Sequence, residues 1–247
     1  MMVRALTLLL CCLLCAASSA APPRTLRFEH LSVEQGLAQE SVLAVIQDAD
    51  GFMWFGSQGG LSRFDGYRVT TFRNSVGEPR SLAHSWVQAL HVDRKGRLWV
   101  GTDGGLDRYD PATQSFIHYL PDEKNRLGNG NRRVRTIVPD AGQGLWIASS
   151  DGLQHFDMDS GRFRTWHNNP LEPASLADDQ VNALALEAGG RLWVGTNAGL
   201  DSLEPGASGF THHRPSAAGP KGNQITALLV DQERTLWIGS VAGLEWP

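Results

Sequence analysis

Val87–Asp110 reads VQALHVDRKGRLWVGTDGGLDRYD, and the chain repeats it. Aligned on Trp99, further copies centre on Trp54, Trp146, Trp193 and Trp237, at steps of 45, 47, 47 and 44 residues. An apolar residue stands twelve positions before each Trp: Val42, Val87, Val134, Val181 and Ile225. An acid stands six before it (Asp48, Asp93, Asp140, Glu187, Asp231), and a Leu seven after it (Leu61, Leu106, Leu153, Leu200, Leu244). A fixed period of this length, with several short strands per unit, is the signature of a β-propeller blade.

Each copy predicts a small antiparallel sheet. Val87–Val92 alternates and forms the first strand. Asp93-Arg94-Lys95-Gly96 turns the chain, the acid capping backbone N–H groups and the glycine supplying a positive φ. Leu98–Gly101 is the second strand, its Trp a wedge between blades. At Gly101 a side chain would collide with the neighbouring blade. Leu106–Tyr109 is the third strand, and Phe116, Phe163 and Phe210, seventeen past their Trp, mark a fourth in copies two to four. Length differences fall in EPRSLAHSW, PDEKNRLGNGNRR, PLEPASLADDQ and PSAAGPKGNQ, which read as exposed polar loops.

The fold class is therefore all-β, a propeller of four-stranded blades with five repeats, the last incomplete. Two readings of its end stay open. Leu26–Leu31 (LRFEHL) alternates like a strand, and adding it to the fifth copy closes a five-bladed ring. Alternatively the chain is a piece of a longer propeller, which leaves an apolar edge exposed.

The start, MMVRALTLLLCCLLCAASSAAPP, has a basic residue, a short apolar core and a small-residue cleavage site. It reads as a secretory signal peptide over residues 1–20, followed by a propeller domain over 21–247. All three cysteines (Cys11, Cys12, Cys15) lie in the signal segment, so the exported domain is held by packing without disulfides. A net charge of −4 over 247 residues argues against nucleic acid as a partner.

FMWFGSQGGLSRFDG, RLWVGTDGGLDRYD, GLWIASSDGLQHFD and RLWVGTNAGLDSLE resemble the two-component regulator propeller repeat. The resemblance runs from about Leu26 to Trp246. It implies the periplasmic sensor region of a hybrid histidine kinase or diguanylate cyclase, built of seven-bladed propellers and joined to a membrane helix and a cytoplasmic output. No kinase or cyclase motif occurs in the chain, so the output domain is expected elsewhere.

Nothing in the sequence assembles a catalytic, cofactor or metal site. The repeated acids recur once per blade and so are spread around the ring rather than converging. His212 and His213 point to opposite faces of a strand. The glycine-rich turns lack the Lys-Ser/Thr ending of a phosphate loop. Arg132-Arg133-Val134-Arg135 is a small basic spot with two readings, a contact for an acidic ligand and a solvated loop edge. The remaining candidate is the face bearing the strand-two-to-three turns and the blade-to-blade loops. Its expected ligand-binding residues are Gln39, Ser57, Gln58, Trp86, Asp103, Arg132, Arg133, Asp151, Gln180, Asn197 and Asn223. Trp86, placed before a strand in a polar loop, suits a sugar or aromatic ring, and the set suits a glycan or other small polar ligand. The leading expectation is a non-catalytic sensing module, with an output domain and a homodimer as expected partners. The alternatives are a propeller lyase or hydrolase acting on polysaccharide or lactone-like substrates, and a protein-binding scaffold.

Overall fold

The structure, a computed structural model, describes residues 28–121, 132–140, 142–213 and 220–246. The expected signal peptide with the three cysteines, Leu26, and most of the loop PDEKNRLGNGNRR lie outside the described residues. Two compact units are present, Met1–Leu31 and Ser32–Pro247. In the first, Phe28–Leu31 carries no regular secondary structure.

The second unit is a series of antiparallel sheets. Blade 1 comprises β1 (Val42–Gln47), β2 (Met53–Ser57), β3 (Gly60–Phe64) and β4 (Val69–Phe72). Blade 2 comprises β5 (Val87–Val92), β6 (Leu98–Thr102), β7 (Gly105–Asp110) and β8 (Ser115–Tyr119). Blade 3 comprises β9 (Val134–Pro139), β10 (Gly144–Ser149), β11 (Gly152–Asp157) and β12 (Arg162–Trp166). Blade 4 comprises β13 (Val181–Leu186), β14 (Leu192–Thr196), β15 (Leu200–Leu203) and β16 (Thr211–His213). Blade 5 has three strands, β17 (Ile225–Val230), β18 (Leu236–Ser240) and β19 (Gly243–Glu245). In every blade the strands pair in chain order. The first strands β1, β5, β9, β13 and β17 lie side by side in succession, so the sheets radiate from a common inner row.

The core lies between blades. Trp54 is buried and meets Tyr109 of blade 2 edge-on at 4.9 Å, and Trp99 meets Phe156 of blade 3 in the same way at 5.4 Å. These are the expected wedges. Their fit explains Gly101: a Cβ there would lie 2.5 Å from Val134 Cγ1 of the next blade. Gly56 faces Val87 at 2.7 Å and Gly195 faces Ile225 at 2.5 Å. Val87, Val134 and Ile225, each opening a first strand, thus fill the space the preceding blade's glycine leaves. At Gly239, in blade 5, the nearest atom is Ala227 Cβ of its own sheet at 3.2 Å.

The four aspartates six before the Trp (Asp48, Asp93, Asp140, Asp231) cap the first turn, as expected, while Glu187 binds Trp193 Nε1–H. Asp93 Oδ1 accepts from Lys95 N at 2.9 Å and Arg97 N at 3.0 Å, while Oδ2 takes Trp99 Nε1–H at 2.9 Å. Asp48 and Asp231 repeat both contacts, binding Trp54 and Trp237 at 2.7 and 2.8 Å. Burial works against the Asp93 charge, but the Trp99, Arg97 and Lys95 donors outweigh it and hold the carboxyl below its usual range.

Two expectations fail. Phe28–Leu31 forms no strand and the fifth sheet has three strands among the described residues; Leu26 and Arg27, where the expected closing strand begins, lie outside them. The outer blades accordingly keep apolar faces in solvent: Leu43 and Val45 on β1, Leu229 on β17, and Leu244 on β19 are exposed. The segments EPRSLAHSW and PLEPASLADDQ, expected as exposed loops, are anchored at their centres. Leu82 and Leu176 are fully buried because each plugs the gap between its blade and the preceding one. Leu37, likewise seventeen positions before its Trp, is also buried. The backbone N–H of the following Ala38, Ala83 and Ala177 donates to Ser62 Oγ, Asp107 Oδ2 and Asp201 Oδ2 at 2.9, 2.8 and 2.8 Å.

Candidate functional site

The plug loops and the strand-two-to-three turns lie against each other. A Cβ on Gly104 would sit 2.8 Å from the Ala83 backbone, and one on Gly59 2.7 Å from Ala38 O. This contact builds the face predicted to bind ligand. A backbone bond repeats along it in blades 2 to 5, from the residue four past the Trp to the carbonyl thirteen before it. It links Asp103 N to Trp86 O at 3.1 Å, Ser150 N to Arg133 O at 3.2 Å, Asn197 N to Gln180 O at 3.2 Å and Val241 N to Gln224 O at 3.1 Å.

The structure brings Trp86, Asp103 and Arg133 into one cluster. Asp103 accepts from Gln88 Nε2 at 2.6 Å and from Arg133 at 2.9 Å. The Arg133 guanidinium lies over the Trp86 ring at 5.2 Å from its centre, a cation–π contact. Trp86 is therefore half-buried, with one ring face covered by Arg133.

Gln180 and Asn197 continue the row. Gln180 Nε2 donates to Ser150 O at 2.7 Å, joining blade 4 to blade 3, and Asn197 Oδ1 accepts from Asn182 at 2.9 Å and Gln224 at 3.3 Å. Asp151 and Arg132 are half-buried at the blade 3 edge of the cluster, where a small cavity of about 10 Å³ has room for one water. Asn223 ends the helical turn Pro220–Asn223, and its buried Oδ1 has no partner. In blade 1, Ser57 is consumed by its own turn, donating to Gly60 O at 2.9 Å and accepting from Gly59 N at 3.2 Å. Gln58 is exposed, and Gln39 Oε1 is buried without a partner.

A second polar arrangement was not anticipated. Asp107 and Asp201, each next to the repeat Leu, are fully buried. Asp107 binds His118 Nδ1 at 2.7 Å, and His118 Nε2 reaches Pro79 O of the preceding loop at 2.9 Å. Asp201, His212 and Pro173 repeat this at 2.6 and 2.7 Å. Each carboxylate thus holds a plug loop twice, through the Ala N–H and through the histidine. The Asp side chains sit against backbone and one imidazole, and the arrangement is structural. The available signal was the shared Glu-Pro-x-Ser-Leu-Ala of residues 78–83 and 172–177, paired with Asp and His eleven residues apart.

Among the described residues no three His, Cys, Asp or Glu side chains gather as metal ligands, and no helix is long and apolar enough to cross a membrane. The larger hollows lie at the blade 3–blade 4 rim, beside Trp146 and Trp166 (about 300 Å³), and under the 168–177 loop (about 280 Å³).

The fold is that of a β-propeller found in bacterial sensor ectodomains. Residues 36–59 and 81–104, one segment in each of the first two repeats, match the family model "two component regulator propeller". Both matches begin at the plug. The extracellular domain assigned to the hybrid two component system BT3049 of B. thetaiotaomicron superposes with a TM-score of 0.74 and 28% identity, covering 88% of this chain and 30% of its own length. The BT4673 ectodomain of the same organism gives a TM-score of 0.71 at 25% identity, over 88% of this chain and 31% of its own. This chain thus spans under a third of these ectodomains. A virginiamycin B lyase from Staphylococcus aureus shares the fold alone, at 13% identity and a TM-score of 0.57, over 78% of this chain and 61% of its own. No curated protein sequence is significantly similar.

Proposed function

We propose that the chain is a non-catalytic, ligand-sensing propeller module of an extracytoplasmic signal-transduction receptor. It is exported by its N-terminal segment into the periplasm and acts on an output domain, kinase or cyclase, outside this sequence. The observation that carries this reading is the two component regulator repeat, together with 28% identity to a sensor ectodomain over 88% of the chain. The row from Trp86 to Asn197 is the proposed receiving surface for a small polar ligand or glycan. It offers amides, a carboxylate and guanidinium groups at the mouth of the inner strands. Binding there shifts the balance between arrangements of neighbouring blades or of a homodimer, and the output domain reads that balance. The lyase or hydrolase alternative rests on likeness of fold at 13% identity and has no residue constellation behind it.

A thermal-shift panel of sugars, amino acids and organic acids tests this reading. A saturable rise in Tm of a few degrees supports it, since a ligand at 100 times its Kd adds about 2.7 kcal/mol. Turnover of a glycan or lactone, or no saturable shift by any compound, overturns it.

A further inference from the structure

In blades 2 and 4 one side-chain pair ties the innermost strand to the turn between the second and third strands. Gln88 donates to Asp103 at 2.6 Å and Asn182 donates to Asn197 at 2.9 Å, each pair fifteen residues apart. In blade 3 the same two positions hold Arg135 and Ser150. Neither is paired: Arg135 Nε and Ser150 Oγ are buried with no hydrogen-bond partner. Among the described residues Arg135 also makes no ion pair. Arg133, two residues away, bonds Asp103 at 2.9 Å.

A half-buried guanidinium without an acceptor is costly to keep. Burial works against the Arg135 charge first and the neighbouring Arg133 charge second, while Asp103 offsets only part of this. The flanking blades show that an amide or carboxylate partner fits this geometry. Blade 3 replaces it with a cation beside a small hydroxyl. The Arg135 terminal amines reach solvent at the mouth of the proposed receiving surface. A guanidinium edge presented in this way matches the two oxygens of a carboxylate or phosphate.

We propose that Arg135 anchors an oxyanion-bearing ligand, a carboxylate or phosphate, at the inner mouth of blade 3, with Arg133 adding positive potential beside it. The inference rests on the ligand-sensing reading and narrows it from polar to anionic ligands.

The test is isothermal titration of the chain with galacturonate, inorganic phosphate and galactose, on wild type, Arg135→Gln and Arg135→Lys. Saturable binding of galacturonate or phosphate, weakened at least ~10-fold by Arg135→Gln and less by Arg135→Lys, is the expected result. Galacturonate alone assigns a carboxylate, and phosphate alone a phosphate group. Without ligand, Arg135→Gln should melt no lower than wild type, because it removes an unpaired charge. Binding of neither anion, or anion binding unchanged in both variants, overturns the proposal. Galactose bound equally by all three proteins, with no anion bound, overturns it too while leaving the ligand-sensing reading standing.

Discussion

Blades 2 and 4 resemble each other more closely than either resembles blade 3, which lies between them. In both, a buried aspartate and a histidine hold the plug loop, an amide closes the inner mouth, and the repeat acid takes the Trp N–H. Blade 3 lacks all three. Gln154 stands where the aspartate would be, Arg135 faces an unpaired Ser150, and Asp140 binds His155 at 2.8 Å. His155 in turn packs edge-on against Trp146 at 4.6 Å. The small residue two past the Trp is Ala148 rather than glycine. Alternate blades thus carry the fastening of the arc, and the blade between them is released from it. A repeat freed from its structural pairing is where side chains are available for recognition.

The largest effect expected of breaking this contrast is at the wedges. Trp99 is fully buried and its N–H is satisfied by Asp93, whereas Trp146 is partly exposed and stacks on Trp166 and His155. Trp99→Ala should cost about 3–5 kcal/mol in urea denaturation, and Trp146→Ala clearly less. Equal losses would mean that the two blades bear load alike.

Next comes the fastening itself. Asp107→Ala removes the acceptor for the Ala83 N–H and for His118 at once. It should cost about 2–3 kcal/mol, the penalty of orphaning buried donors. Gln154→Ala, at the matching position of blade 3, should cost less, since its side chain makes one long bond of 3.3 Å to Ser149. A neutral Asp107→Ala would sink the loop-holding role.

A third contrast tests where blades press on one another. Gly101→Ala puts a Cβ 2.5 Å from Val134 Cγ1 and should cost about 1–3 kcal/mol through overpacking. Gly239→Ala meets only its own sheet at 3.2 Å and should be tolerated much better. The same melt assay reads both, and a larger loss at Gly239 than at Gly101 would contradict glycine-to-valine packing between blades.

Periodic and local features were readable from the residues alone. The apolar residue twelve before the Trp, the glycine two after it in four of the five copies and the acid six before it are short-range devices, and repetition exposes them. The second oxygen of that acid, bonded to the Trp N–H six residues on, needed the hairpin's actual geometry. The Leu-Ala plug was hidden because polar neighbours such as Glu78, Arg80 and Ser81 give the segment the composition of an exposed loop. Asp107–His118 joins adjacent strands, and no composition rule flags a pair eleven residues apart. The candidate residues were placed on one face by topology. Arg135 escaped that set because its meaning lies in the absence of a partner that Gln88 and Asn182 have, a comparison between blades that a linear reading does not make.

The smallest effect, and the sharpest test of the Asp–His pairing, is the pH profile. The hydrogen bond His118 donates to Asp107 raises the imidazole above its ordinary value, with burial opposing it and the Asp107 charge and Pro79 O assisting. A folded-state value above the unfolded one means that this stabilisation is complete below about pH 6.5 and is lost as pH rises through the folded value. Burial pushes the Asp107 carboxyl up, against the bonds from His118 and Ala83, and so acts in the same direction in a more acidic window. Blade 3 behaves oppositely. Burial opposes the Asp140 charge, but His155, Gly144 and Gly142 hold its carboxyl below the usual range. That contribution is present above about pH 3.9 and is lost as pH falls through the folded value. Denaturation midpoints followed across pH should therefore decline as pH rises above about 6.5 in wild type and decline less in His118→Gln. The acid-side decline should shrink in His155→Gln. Identical alkaline limbs in wild type and His118→Gln would show that the imidazole holds its loop as a neutral ring, and that its bond to Asp107 carries no charge.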